Sequence, residues 1–288
     1  MVIWWSKIGG ADCMIYVQLT NGFGNNLFQY NAARLLATFH DQELIALPPS
    51  SEYYGIEEFK KIGIELKSVE PPDCEKVTET NYTHYFNTQY KNSNLFVTGY
   101  FENYKLFKNN LDLIKSWYPD VRKHNTEDLV LHLRAGDRLF YANEHDSKPQ
   151  AQNYVDAIKR FDFDKLYIVT DMPQWDNITV EELQSMKFHV DVPESQRVTA
   201  QQSVDYFNSL VDGLAQFSPI HSKNSVAEDF SLIRGFNNIL FQHGTLAWWA
   251  AALSNANKVG VYGPWRPWKG TSNKNLSDIN LEGWFKWI

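Results

Sequence analysis

The chain has 288 residues, 43% of them hydrophobic, which is enough for one large buried core or two ordinary ones, so a soluble globular protein is expected. A formal net charge of −7 and a pI near 5.6, with no long run of Lys and Arg, argue against a nucleic-acid footprint while leaving room for a basic pocket. Two cysteines, Cys13 and Cys74, exclude a disulfide framework or a Cys-based zinc site. No apolar run approaches a membrane span and the amino terminus lacks an apolar secretory region, so a cytoplasmic or otherwise soluble catalytic unit is expected.

Residues 1–13 match no periodic element and are read as a leader or extension. From Met14 the pattern becomes orderly: Ile15 to Leu19 reads as a strand, Thr20 to Asn26 as a Gly-containing loop, and Leu27 to Phe39 as a helix with Leu27, Phe28, Asn31, Ala32, Leu35 and Leu36 at helical spacing. A strand, loop and helix in this order can present backbone N–H groups to a phosphate, which makes Gly22, Gly24 and Asn25 donor-binding candidates. It is not a dinucleotide fingerprint. Leu27 stands where the third glycine should be, and Glu43 precedes its apolar run instead of following it.

Residues 48–123 carry the breaks Pro48-Pro49 and Pro71-Pro72 and an aromatic-rich stretch from Tyr82 to Tyr104. Leu95 to Phe101 reads as a strand whose end carries aromatics and Glu102, and Tyr104 to Trp117 reads as helical. Most of these aromatics are expected in the core, although a rim aromatic can also stack on a sugar.

Leu129 to Leu133 is a short apolar run interrupted only by His132 and followed at once by Arg134, Gly136, Asp137 and Arg138. In a parallel α/β sheet ligands bind outside the carboxyl ends of strands, where a guanidinium can pair with a phosphate in bidentate fashion. The same residues also suit a solvated turn in which Arg134 and Asp137 merely pair. Downstream, Ala151 to Phe161 reads as a helix and Lys165 to Val169 as a strand, which puts Asp171 at a carboxyl edge as a candidate for guanine or ribose. Asp162-Phe163-Asp164 has the D-x-D form of a metal site, but it precedes its strand and is read as a solvated turn, so no metal ligands are assigned. Ser203 to Ser218 and Glu228 to Phe236 read as helices, and Asn238 to Phe241 as a strand. His243-Gly244-Thr245 then opens a helix from Leu246 to Leu253, where Thr245 can cap the helix or bond a phosphate. Trp248 and Trp249 are read as packing residues, and the basic, aromatic segment Tyr262 to Trp268 as a cover for the site. Strands alternating with helices at this spacing indicate a doubly wound parallel sheet.

Three blocks carry a family resemblance. Asn21-Gly22-Phe23-Gly24-Asn25-Asn26-Leu27-Phe28-Gln29-Tyr30 resembles a G-x-G-N-Q-x-F-Q-Y signature with Asn26 for glutamine, His132 to Asp137 resembles H-x-R-R-G-D, and Asp229 to Trp249 resembles a closing segment ending in a Trp-Trp helix. In this order they are similar to the fucosyltransferase superfamily, in particular the α-1,2-fucosyltransferases that use GDP-fucose. Two departures stand out: Ala135 occupies the position of the second arginine, and Gly244 to Ala247 replaces a serine-rich run.

The resemblance implies a GT-B-like α/β fold of two facing Rossmann-like domains, with the acceptor on an amino-terminal domain over 14–124 and the nucleotide sugar on a carboxyl-terminal domain over 125–288. It also implies an inverting transfer of L-fucose from GDP-fucose to a glycan hydroxyl, with no obligatory metal or other cofactor. The partners expected are therefore a nucleotide sugar and a glycan acceptor, and no nucleic acid. Another GDP-linked sugar as donor, or a carbohydrate-binding protein without catalysis, are the alternatives. Arg134 is expected to neutralise the departing diphosphate, with His132, Asp171, His243, Gly244 and Thr245 also at the donor. Asp137, Glu144 and Asp146 follow the strand as candidate bases; Glu144 is ranked first, and Asp137 is read as orienting Arg134.

Overall fold

The computed structural model describes residues 13–20, 22–49, 56–88, 93–141, 148–186, 197–263 and 281–287. The chain divides into two compact units, Met1–Pro119 and Asp120–Ile288. Both are α/β units with parallel sheets, as expected from the alternation of apolar runs and amphipathic stretches.

The first unit holds β1 (Met14–Gln18), α1 (Phe23–His40), β2 (Glu43–Leu47), α2 (Ile56–Lys61), β3 (Glu75–Val77), α3 (Tyr82–Asn87), β4 (Leu95–Val97) and α4 (Leu111–Lys115). Its strands lie in the order β2-β1-β4-β3, all parallel, with Ile15 opposite both Leu44 and Leu95. Helix α1 begins four residues ahead of the expected start and absorbs most of the loop predicted over Thr20 to Asn26. Tertiary burial accounts for this: Phe23 is 2% exposed and stacks on Phe59 at 5.0 Å, which fixes the first turn against the core. The helix stops at Asp41, which adopts φ 54° while the Gln42 N–H bonds to Ala37 O at 3.0 Å, so a short polar residue serves where glycine is usual. The helix expected over Tyr104 to Trp117 is instead two 3-10 turns, Tyr104–Leu106 and Lys108–Asn110, followed by α4. The side chain of Asn103 accepts the Lys105 N–H at 3.1 Å, a local bond that competes with α-helical pairing.

The second unit holds β5 (Leu129–Leu133), α5 (Ala151–Ile158), β6 (Leu166–Thr170), α6 (Val180–Ser185), α7 (Ala200–Leu214) and β7 (Ile220–Ser222). It continues with α8 (Val226–Arg234), β8 (Asn238–Phe241), α9 (Thr245–Ala252), β9 (Lys258–Tyr262) and β10 (Phe285–Trp287). Helix α6 is not among the expected elements, and α7 and α8 start ahead of the expected Ser203 and Glu228, because local pairs set all three starts: Thr179, Thr199 and Ser225 are followed three residues later by Glu182, Gln202 and Glu228 in reciprocal capping boxes.

The sheet order is β10-β9-β8-β5-β6-β7, again all parallel. The chain lays β5, β6 and β7 outward in one direction and then returns to the other side of β5 with β8, β9 and β10. The reversal falls between β5 and β8, and this switch point is where a doubly wound sheet opens a crevice at the carboxyl ends of its strands. β5 is buried at every position because it is central and covered on both faces. Leu129, Leu131 and Leu133 pack with Tyr154 and Ile158 of α5 and with Phe207 and Leu210 of α7, each buried leucine contributing roughly 1.5–3 kcal/mol relative to exposure. The alternating residue His132 therefore faces the opposite layer.

Candidate nucleotide-sugar site

Arg134 is the first residue beyond β5, and parallel pairing of Leu133 with Thr170 brings Asp171, the first residue beyond β6, alongside it. The register itself builds the contact. Arg134 Nε lies 3.5 Å from Asp171 Oδ2, and Asp171 Oδ1 accepts the Ala135 N–H at 2.8 Å. Asp137, in the 3-10 turn Gly136–Phe140, accepts from Arg134 Nη2 at 2.8 Å, and its other oxygen lies 3.9 Å from Arg138 Nε. The guanidinium of Arg134 keeps 35% exposure, so it is oriented by two carboxylates yet still open to an anion.

Gly136 permits this arrangement. Its φ is +23°, and a Cβ built there would lie 2.3 Å from Asp171 Oδ2. Desolvation raises the Asp171 carboxyl above its ordinary range, with Arg134 and the Ala135 N–H pulling against it. The contacts described for Asp171 thus go to the Arg134 loop, which makes it a positioning residue for that guanidinium.

Across the switch point, β8 ends at Phe241, and the Gln242 N–H reaches His132 O at 3.4 Å. Gly244, at φ +125°, leads into α9, and the space where its Cβ would lie is 3.7 Å from His132 Cε1. Thr245 is the first helical residue and not the cap, a position that Gly244 holds without a side-chain bond. His132 is 5% exposed and is pushed down to about 3, first by burial and then by Arg134. Burial, then Arg138, Arg134, His132 and Lys148 in that order, hold His243 well below its ordinary value. Both imidazoles are neutral at pH 7, because burial and the cations converging on this edge disfavour their charged forms. Trp248 and Trp249 are buried packing residues, their rings 4.9 Å apart and perpendicular.

Sequence reading passed over Lys148 and Asp229 as site residues. Lys148 is 7% exposed, donates to Leu139 O at 3.2 Å and lies 5.4 Å over the Tyr206 ring; nothing local in the sequence marks it. Asp229 could have been found, because the Ser225 to Glu228 capping box puts the next residue in the first turn of α8, on the carboxyl edge after β7. Burial raises its carboxyl to about 7, with Glu228 and Asp171 adding to the rise and the Asn224 amide, at 3.2 Å, opposing it. A strongly shifted carboxyl at such an edge is a functional-site candidate.

The shift also predicts a pH dependence. A carboxyl with its folded value raised is no burden below its unfolded value of 3.8, and its burden is complete only above about 7. Asp229→Asn is expected to raise Tm by about 2–4 °C at roughly pH 8, after discounting for partial exposure, and by less at about pH 5. Thermal melting at the two pH values checks this. An equal change at both would mean that ionisation of Asp229 is not involved.

The structure thus gathers His132, Arg134, Asp137, Asp171, His243, Gly244 and Thr245 at one sheet edge of the second unit. Gly22, Gly24 and Asn25 belong to the first unit, where Gly22 leads α1, Gly24 is buried in its first turn, and the Asn25 and Asn26 N–H groups bond to Gly22 O at 2.9 and 3.1 Å. Glu144, Asp146 and the segment from Pro264 to Trp268 lie outside the described residues. The Asp162-Phe163-Asp164 turn lies at the amino edge of β6, where the Asp164 N–H bonds to Glu127 O at 3.0 Å. Among the described residues no group of three or more His, Cys, Asp or Glu side chains is placed to hold a metal ion, and no described helix is long and apolar enough to cross a membrane.

No protein-family model and no curated protein sequence matches the chain. Among solved structures it is similar to the NodZ α-1,6-fucosyltransferase soaked with GDP-fucose, with a TM-score of 0.36 and 12% identity over 84% of this chain and 93% of that one. It is also similar to POFUT1 in complex with GDP-fucose, with a TM-score of 0.40 and 10% identity over 88% of this chain and 97% of that one.

Proposed function

We propose that this protein is an inverting glycosyltransferase that moves L-fucose from GDP-fucose to a glycan hydroxyl, in α-1,2 linkage, without an obligatory metal. The observation that carries the reading is the pairing at the switch point: Arg134, oriented by Asp137 and Asp171, stands after β5, while Gly244 and the amino terminus of α9 stand after the neighbouring strand β8. A diphosphate there would meet a guanidinium on one side and helix N–H groups on the other. The three sequence blocks support GDP-fucose as the donor. Asp229, in the loop and helix start after β7 on the same carboxyl edge, is assigned to the nucleoside, while Asp171 orients Arg134.

In the transfer, the acceptor oxygen attacks the anomeric carbon as the bond from that carbon to the diphosphate oxygen breaks. The electron pair leaves with GDP, and the acceptor proton passes to a base. Asp137 is engaged by two arginines and is better suited to orientation than to proton removal, which supports Glu144 as the base. Glu144→Gln is expected to lower kcat about a hundredfold or more with GDP affinity retained. Steady-state rates and GDP titration check this, and a parallel loss of both would assign Glu144 a structural role.

Thermal shift in EDTA tests the donor. GDP and GDP-sugars at roughly a hundredfold excess over Kd should stabilise the fold by about 2–3 kcal/mol, ahead of UDP species. Protection by UDP-sugars with Mn²⁺ alone would overturn both donor and metal independence. Ala135, in place of a second motif arginine, favours the alternative of another GDP-linked sugar, which the same screen distinguishes.

A further inference from the structure

The first unit has its own strained edge. Beyond β4 the chain passes through Gly99 at φ +139° and Phe101 at φ +53°, so Tyr100 is flanked by two residues in the left-handed region. For a bulky residue such as Phe101 that conformation is strained and persists only where the surroundings over-determine it. They do so here. The Phe101 ring is fully buried against Tyr82 with centroids 5.4 Å apart, and its N–H is held by Glu79 Oε1 at 2.6 Å. One buried amide, Gln29 at 3% exposure, donates to Gly99 O at 2.9 Å and to Thr20 Oγ1 at 2.8 Å, and so clasps the ends of β4 and β1 together. These are the two central strands of the sheet, so the loops that follow them share one carboxyl edge.

This bracing fixes the backbone on both sides of Tyr100, whose side chain keeps 45% exposure beside a phenylalanine with none. We infer that Tyr100, at the carboxyl edge of β4, is the stacking platform of an acceptor subsite that takes the C–H face of a pyranose ring. Its partners would be the carboxylate of Glu102, two residues on, as acceptor for sugar hydroxyls, and the open backbone at Gly22, where an added Cβ would meet nothing within 4 Å. An aromatic on a braced backbone loses less entropy on stacking than one on a mobile loop, and a carboxylate on the same loop suits a ligand dense in hydroxyls. The inference rests on the glycan-acceptor part of the proposed function.

Saturation-transfer NMR on the full chain tests it, with methyl β-galactopyranoside, methyl β-glucopyranoside and methyl α-mannopyranoside as probes. At least one should show saturation concentrated on the ring protons of a single C–H face. Tyr100→Ala should weaken that binding by about three- to tenfold, while Tyr100→Phe retains it. Melting temperature and protection by GDP should be unchanged in both variants. Equal glycoside binding by Tyr100→Ala, or no saturation of any glycoside by the wild-type chain, overturns the platform. GDP protection without glycoside saturation would remove the subsite and leave the donor reading standing. Tyr100-dependent saturation without GDP protection would keep the subsite and remove the transferase.

Discussion

Replacing Arg134 by Ala should lower turnover about a hundredfold even with donor at saturation, and this is the largest catalytic effect expected from any described residue. In the proposed transfer the barrier is set by negative charge gathering on the departing diphosphate, and a fixed cation aimed at it would be worth roughly 2.7–4 kcal/mol. Arg134 suits that role because its orientation is settled before any ligand arrives: Asp137 holds one end at 2.8 Å and Asp171 lies 3.5 Å from Nε. Arg134→Lys should recover only part of the loss, since an ammonium keeps the charge but not the planar fork held between two carboxylates. The measurement is kcat with saturating GDP-fucose, together with GDP affinity. Near-normal turnover in Arg134→Ala would remove the residue from the mechanism.

The second large effect comes from a residue with no side chain. Gly136→Ala should cost about 1–3 kcal/mol in stability, a Tm decrease of about 2–4 °C per kcal/mol, and should abolish protection by GDP. The new Cβ would lie 2.3 Å from Asp171 Oδ2, so the carboxylate has to leave the Ala135 N–H and the Arg134 guanidinium that it now holds. If this clash is the cause, a double-mutant cycle must show it. Gly136→Ala combined with Asp171→Ala should be scarcely less stable than Asp171→Ala alone, because the atom struck is already gone. Additive losses would place the damage in backbone strain at φ +23° instead.

Much of this site was legible before any coordinates. The apolar run Leu129 to Leu133 bounded by Arg134, and the turn His243-Gly244-Thr245 after Asn238 to Phe241, announce strand ends by composition alone, and both strands have the expected bounds. The helix starts are less well read: those expected at Ser203 and Glu228 fall inside α7 and α8, and α6 is not among the expected helices, although the capping pairs at Thr179, Thr199 and Ser225 mark all three by a local rule. The short edge strands β3, β7 and β10, of three residues each, carry too few positions for a period to show.

The sequence by itself determined that the chain forms parallel α/β sheets and that Arg134, Asp171 and His243 lie at strand ends, because these depend on periodicity and on the order of residues along the chain. Tertiary structure decided the rest. Only the strand order β10-β9-β8-β5-β6-β7 makes β5 and β8 neighbours, so only the fold brings Arg134 and the start of α9 to the same switch point. Only the register of Leu133 with Thr170 turns Asp171 toward Arg134. The raised carboxyl of Asp229, the neutral His132 and the left-handed Phe101 have the same origin: each is imposed by residues distant in the chain, through desolvation or through packing that outweighs local preference.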